Sequence, residues 1–198
     1  MKSVLPFCLP LLAALTLDAA PAYAGAFDVS TLACSRYENE VLPAAPNDPE
    51  ADSIDTVMWL FGYSVAKSGQ HVLYADALAP FGFALDNECK SNPTETVQAA
   101  LGIVKPETKS PLDLAEVECE SFAAKHAEFA RTDTESAKTI MMWLFGFGVG
   151  ASGGHLFEPA RRPVFESSLL AECARHPHQK LLEAIRALRA SRPARITH

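Results

Sequence analysis

The sequence is sparing with the residues that announce chemistry. It contains no Cys-x-x-Cys pair, so its cysteines lack the spacing of a structural zinc site. Neither Gly-x-Ser-x-Gly nor His-Glu-x-x-His occurs, and no trio of nucleophile, base and orienting group recurs along the chain, which argues against an enzyme. Runs with strand alternation are not evident, leaving an all-α fold as the expectation. Lys and Arg number 17 against 24 Asp and Glu, a balance that favours no nucleic-acid partner. Tryptophan is scarce as well, and its two copies lead to the main feature of the chain.

The chain contains itself twice. Residues 58–71 begin Met58-Trp59-Leu60-Phe61-Gly62 and end in His71; residues 142–155 begin Met142-Trp143-Leu144-Phe145-Gly146 and end in His155. The same offset carries Glu88-Cys89 onto Glu172-Cys173 and Pro93 onto Pro177, and an offset one residue larger carries Asp28 and Cys34 onto Asp113 and Cys119. Register kept over this length marks a tandem duplication of a unit of roughly 80 residues. What both copies retain is structure or shared mechanism, and what differs is where individual function resides.

Residues 1–24 have the make-up of a secretory signal peptide: Lys2, an apolar stretch, then Ala22-Tyr23-Ala24 as a small-x-small cleavage site. Cys8 lies inside that stretch, too early for a lipobox. Export points to an oxidising compartment, most simply a bacterial periplasm. Of the remaining four cysteines each repeat owns two, and the duplication selects Cys34–Cys89 and Cys119–Cys173, because each unit closed its own bridge before it was doubled. Each bridge closes a loop of about 55 residues, worth roughly 4 kcal/mol on a chain-entropy argument, a large share of the stability of so small a unit.

The organisation expected is therefore a leader (1–24), a first helical repeat (25–104), a linker (105–111) within a stretch rich in Pro and Lys, and a second repeat (112–198). Each repeat should hold about four helices and one internal disulfide. The first helix is expected to be capped at Asp28 or Ser30 and at Asp113, with Glu116 completing a capping box. The Trp helix follows, with Ser53 and Thr134 as N-caps and Ser68-Gly69 or Ser152-Gly153-Gly154 as its stop. A third helix covers residues 74–90 and 159–175, and a last one starts at Pro93 and Pro177, taken as first helical positions. Apolar residues surround the Trp helix on all sides, the pattern of a central buried helix: Trp59, Leu60, Phe61 and Tyr63 in one copy, Trp143, Leu144, Phe145 and Phe147 in the other. Residues 139–157 carry no formal charge, but the glycines end the helix early and Lys67 breaks the equivalent run, so no membrane span is expected. Small residues four apart, Gly62 with Ala66 and Gly146 with Gly150, suit the close approach of another helix.

Charge is unevenly divided. Residues 27–104 carry 11 acidic and 3 basic side chains, whereas residues 112–198 carry 11 of each, with Arg186, Arg189, Arg192 and Arg195 crowded at the end. The first repeat is thus suited to a basic partner, or to attraction by the second; two differently solvated surfaces explain the asymmetry equally. Gly148-Val-Gly150-Ala-Ser-Gly153 matches a dinucleotide fingerprint by letters, but it closes a helix where the motif must open one, and no cofactor follows from it. His71 and His155 are the only histidines common to both copies. Past a helix C-terminus they suit a carbonyl or the helix dipole, with pH sensing as the functional alternative. His176 and His178 lack a third ligand and do not make a metal site.

Taken together, these pieces resemble the HdeA/HdeB family of small periplasmic acid-stress chaperones: a leader, a first cysteine in the context Val117-Glu-Cys119-Glu-Ser-Phe122, an apolar helix with a Gly-aromatic step, a second cysteine and a short closing helix. The first repeat matches more weakly, through Leu32-Ala-Cys34-Ser-Arg-Tyr37. The resemblance implies a small helical fold with one disulfide per unit, and an ATP-independent chaperone that acid switches on to bind unfolding periplasmic proteins. Because founding members carry one unit per chain and dimerise, the two copies here are expected to pair as an intrachain pseudo-dimer. A disulfide-stapled inhibitor or immunity-type protein, recognising one folded partner through the acidic face of repeat 1, is the competing expectation.

Overall fold

The computed structural model describes residues 26–43, 49–74, 77–103 and 112–190. The proposed leader and the linker 105–111 lie outside these residues. The described chain is mostly helical, with short two-residue strands, and both expected disulfides are present: Cys34–Cys89 and Cys119–Cys173.

Repeat 1 runs β1 (Phe27–Asp28), α1 (Cys34–Arg36) continued by a π-helical turn (Tyr37–Val41), α2 (Pro49–Lys67), β2 (Val72–Leu73), α3 (Leu78–Ser91) and α4 (Val97–Ile103). Repeat 2 runs β3 (Leu112–Asp113), α5 (Cys119–Thr132), α6 (Thr134–Ala151), β4 (Leu156–Phe157), a short 3₁₀ turn (Pro159–Arg161), α7 (Arg162–Arg175) and α8 (Leu181–Ala190). The Trp helices α2 and α6 pack on each other more extensively than any other pair of elements. Glycine makes this possible. A β-carbon on Gly62 would lie 2.1 Å from the carbonyl oxygen of Trp143, and one on Gly146 would lie 2.0 Å from that of Trp59. The reciprocal distances mark a crossing in which equivalent residues of the two repeats exchange contacts.

The strands repeat that exchange. β1 pairs antiparallel with β4, and β2 with β3, so each repeat lends its leading strand to the other. Val29 N–H donates to the His155 carbonyl and Leu114 N–H to the His71 carbonyl, each at 3.0 Å, extending both ladders by one bond. Both Trp helices end in the same way, with Gly69 at φ 75° and Gly153 at φ 71°. Gln70 N–H reaches the Val65 carbonyl and Gly154 N–H the Val149 carbonyl, the Schellman arrangement in which a left-handed glycine closes a helix.

Several expected boundaries are corrected. Asp113 and Asp28 are not N-caps of the first helices but strand residues. Their carboxylates accept the backbone N–H two residues on (Ala115 and Ser30, both 2.8 Å), closing Asx turns, and the helices begin later, at the cysteines. Pro93 and Pro177 do not open helices either. Their carbonyls, with those of Glu95 and Gln179, accept the first N–H groups of α1 and α5, capping those helices from across the fold, while α4 and α8 start four residues later. Helix α2 starts at Pro49, ahead of Ser53, and the N-cap of α6 is Asp133, which accepts from Ser136 N–H, in place of Thr134. The third helix of repeat 1 begins at Leu78 instead of residue 74.

Candidate functional site: the seam between the repeats

The apolar residues singled out in the Trp helices all lie in the core. Trp59, Leu60, Phe61 and Tyr63 on α2, and Trp143, Leu144, Phe145 and Phe147 on α6, are at most 2 % exposed. Each helix covers the other. Trp59 stacks on Tyr63 (ring centroids 5.4 Å apart) and meets Phe145 of the other repeat edge-on at 6.4 Å. Trp143 stacks on Phe147 at 5.6 Å. Burial here carries a polar cost: Trp59 Nε1 and Trp143 Nε1 are both buried without a hydrogen-bond partner among the described residues, each worth about 1–3 kcal/mol against the closed state.

At the rim of this crossing stand the two shared histidines. His71, at the end of the loop leaving α2, places Nε2 3.4 Å from Asp113 Oδ1 of the other repeat. His155, its equivalent after α6, sits over Tyr63, whose hydroxyl is 3.0 Å from His155 Nδ1, and attracts Asp28 electrostatically. Each histidine therefore faces the leading aspartate of the opposite repeat, at the point where the strands are exchanged. Asp28 is further held by Ser30, whose hydroxyl (2.5 Å) and backbone N–H (2.8 Å) both donate to Oδ1; these bonds, chiefly the hydroxyl's, keep its pKa below the ordinary aspartate value. The seams differ at two of these positions: Phe147 and Ala115 stand where Tyr63 and Ser30 stand in the first. Burial pushes the Tyr63 phenol up to about 12, so it stays protonated. At 1 % exposure it meets no substrate while the seam is closed.

The remaining described histidines also lie against carboxylates. His126 Nε2 is 3.2 Å from Glu166 Oε1, which Arg162 also engages; His176 is 3.8 Å from Glu172, and His178 is 4.0 Å from Glu120. One further tie crosses the repeats, between Lys138 on α6 and the buried Asp55 on α2 at 3.2 Å. Among the described residues no group of three or more His, Cys, Asp or Glu is placed to hold a metal ion, and no helix is long and apolar enough to cross a membrane.

The sequence reading found the histidines and the apolar helices but missed their partners. Asp28 and Asp113 recur in both copies, a signal that was legible yet read as helix capping. Comparison with protein-family models, with curated proteins and with solved structures produced no match.

Proposed function

We propose that this protein is a periplasmic, HdeA-like tandem stress chaperone. It works without ATP or cofactor, its two repeats acting as an intrachain pseudo-dimer that parts in acid and offers α2 and α6 to unfolding proteins. The observation that carries this reading is the seam itself: two apolar helices cover one another, and at its rim His71 of one repeat meets Asp113 of the other while His155 stands over Tyr63.

The sign of the pH effect follows from Asp28. Its lowered pKa means that the folded state binds the proton less readily than the unfolded chain, so its stabilising contribution is present above about pH 4 and is lost as pH falls through the lowered value. Imidazoles as a class charge nearer pH 6.5. Strong acid therefore removes the Asp28 carboxylate charge that attracts His155. With 16 basic side chains and six histidines in residues 25–198, the formal charge then reaches about +22. Self-repulsion opposes the crossing, and the disulfides keep each unit from unravelling.

Light scattering of an aggregation-prone protein mixed with the oxidised chain tests the proposal. Suppression of aggregation only in strong acid, lost on reduction, is expected; equal behaviour at both pH values is incompatible with it. The second reading, a dedicated inhibitor or immunity-type protein, draws support from Phe83, which is 70 % exposed on α3 of the acidic repeat. Such a protein binds one folded partner at neutral pH and releases it in salt.

A further inference from the structure

We propose that the crossing of the Trp helices also admits a second copy of this chain, in one arrangement only: repeat 1 of one copy against repeat 2 of the other. The repeats are equivalent in register but not in what they place at the crossing. The strand pair Phe27–Phe157 is related to Leu112–Leu73 by the same exchange that relates Gly62–Trp143 to Gly146–Trp59. Every contact across the crossing thus has a mirror position. The contacts of a pair made from two like repeats follow by placing one repeat's residues at the other's positions.

Ala66 and Gly150 are mirror positions. A β-carbon on Gly150 would lie 2.8 Å from the Tyr63 carbonyl oxygen and 3.1 Å from the Ala66 β-carbon. Two copies of repeat 1 would put a real alanine there, against the backbone of the facing helix, and the helices would have to separate. The charges act in the same direction. Lys138 of α6 reaches the buried Asp55 of α2 at 3.2 Å, and Ile54 and Thr139 stand at the mirror positions. Paired with itself, repeat 1 would turn Asp55 toward Ile54 in place of the ammonium group. It would also bring together two repeats that each carry 11 acidic and 3 basic side chains, whereas repeat 2 carries 11 of each. Overlap, a lost ion pair and like charge all exclude the same partner.

Repeat 2 against itself is not blocked at Gly150, but that pairing leaves both first repeats uncovered. A dimer in which every Trp helix is covered is therefore the reciprocal exchange, the form of a domain swap. Only acid as the trigger that opens the crossing rests on the chaperone reading. The pairing rule rests on the crossing itself, which urea also opens.

Two full-length variants test the rule: Gly146→Leu, which keeps only the face of repeat 1 intact, and Gly62→Leu, which keeps only that of repeat 2. One carries ¹⁵N, and the oxidised chains are refolded from urea together and singly, then followed by native mass spectrometry at neutral pH. The mixture should give the mixed dimer, while Gly146→Leu alone stays monomeric. Adding Ile54→Lys and Ala66→Gly to Gly146→Leu supplies the cation and the room, and this chain should then dimerise with itself. Ile54 is 46 % exposed, so lysine fits there. Gly146→Leu dimerising alone as readily as the mixture, or folded chains that give no mixed dimer, overturns the proposal. If the blocked chains do not regain their helix by circular dichroism, unfolding of unblocked chains decides. Gly150→Ala should raise the unfolding constant about tenfold more in the wild type than in Ala66→Gly. An equal effect in both backgrounds defeats the rule. Neither readout uses a client or acid, so failure here and failure of the chaperone reading are distinguishable.

Discussion

Gly62 lies so close to Trp143 that a β-carbon would sit 2.1 Å from the tryptophan carbonyl, and Gly146 repeats the relationship with Trp59 at 2.0 Å. Backbone cannot retreat as a flexible side-chain end can, so α2 and α6 must separate to admit even a methyl group. Gly62→Ala and Gly146→Ala should each cost about 3 kcal/mol or more in urea unfolding, the upper range for overpacking. Gly102→Ala, at an exposed position of α4 with nothing within 4 Å among the described residues, should be neutral or stabilising by up to about 1 kcal/mol. If a parted crossing exposes the Trp helices, the first two variants will also bind a hydrophobic dye at neutral pH, where the wild type does not.

Trp59 and Trp143 are fully buried and stacked, yet neither indole N–H has a partner among the described residues. Replacement by Ala should cost roughly 3–5 kcal/mol through cavity formation. Replacement by Phe forgoes the unsatisfied N–H along with the volume, so its cost should fall well below that of Ala at both sites. Thermal unfolding of the four variants checks this, and similar losses for Phe and Ala would mean that the indole nitrogen carries no penalty.

How much of this was legible beforehand depends on the kind of signal. The duplication, both disulfides and the buried Trp helices follow from residues that recur at a fixed offset, and Gly62, Ala66, Gly146 and Gly150 betrayed a close helix crossing by their size alone. The exchanged strands were not legible, because two residues such as Phe27–Asp28 carry no alternation to detect. Pro93 and Pro177 misled for a physical reason: proline favours a first helical turn, but here the carbonyls of this turn are spent on capping α1 and α5.

Asp28 and Ser30 separate the local turn from the charge. Asp28→Asn keeps an oxygen for the Ser30 N–H but removes the carboxylate that faces His155. The wild type should therefore be more stable than the variant at pH 6, with the difference closing as pH falls through the lowered Asp28 value, below about 4. Urea midpoints of both proteins from pH 7 to pH 2 measure it. A difference that persists at pH 2 would show that the turn, and not the charge, is what Asp28 supplies.

Tyr63, which stands over His155, is matched by Phe147 in the second repeat, so repeat 2 already supplies the substitution that tests the hydroxyl. Tyr63→Phe removes the 3.0 Å contact with His155 Nδ1 and almost nothing else, since Phe is tolerated at the matching position. His155 is only half-buried and can turn to water for a replacement, which limits the loss to about 0.5–1.5 kcal/mol, the net value of one hydrogen bond. The phenol stays protonated below about pH 12, so Tyr63 itself adds no titration in the acid range. The phenol also both donates and accepts, so its contact with the ring does not depend on which tautomer the imidazole adopts. The cost of Tyr63→Phe should consequently vary little between pH 8 and pH 5, as followed by thermal unfolding. A cost that grows steeply on acidification would instead mean that the hydroxyl does more than fill one hydrogen bond and strengthens this seam as acid arrives.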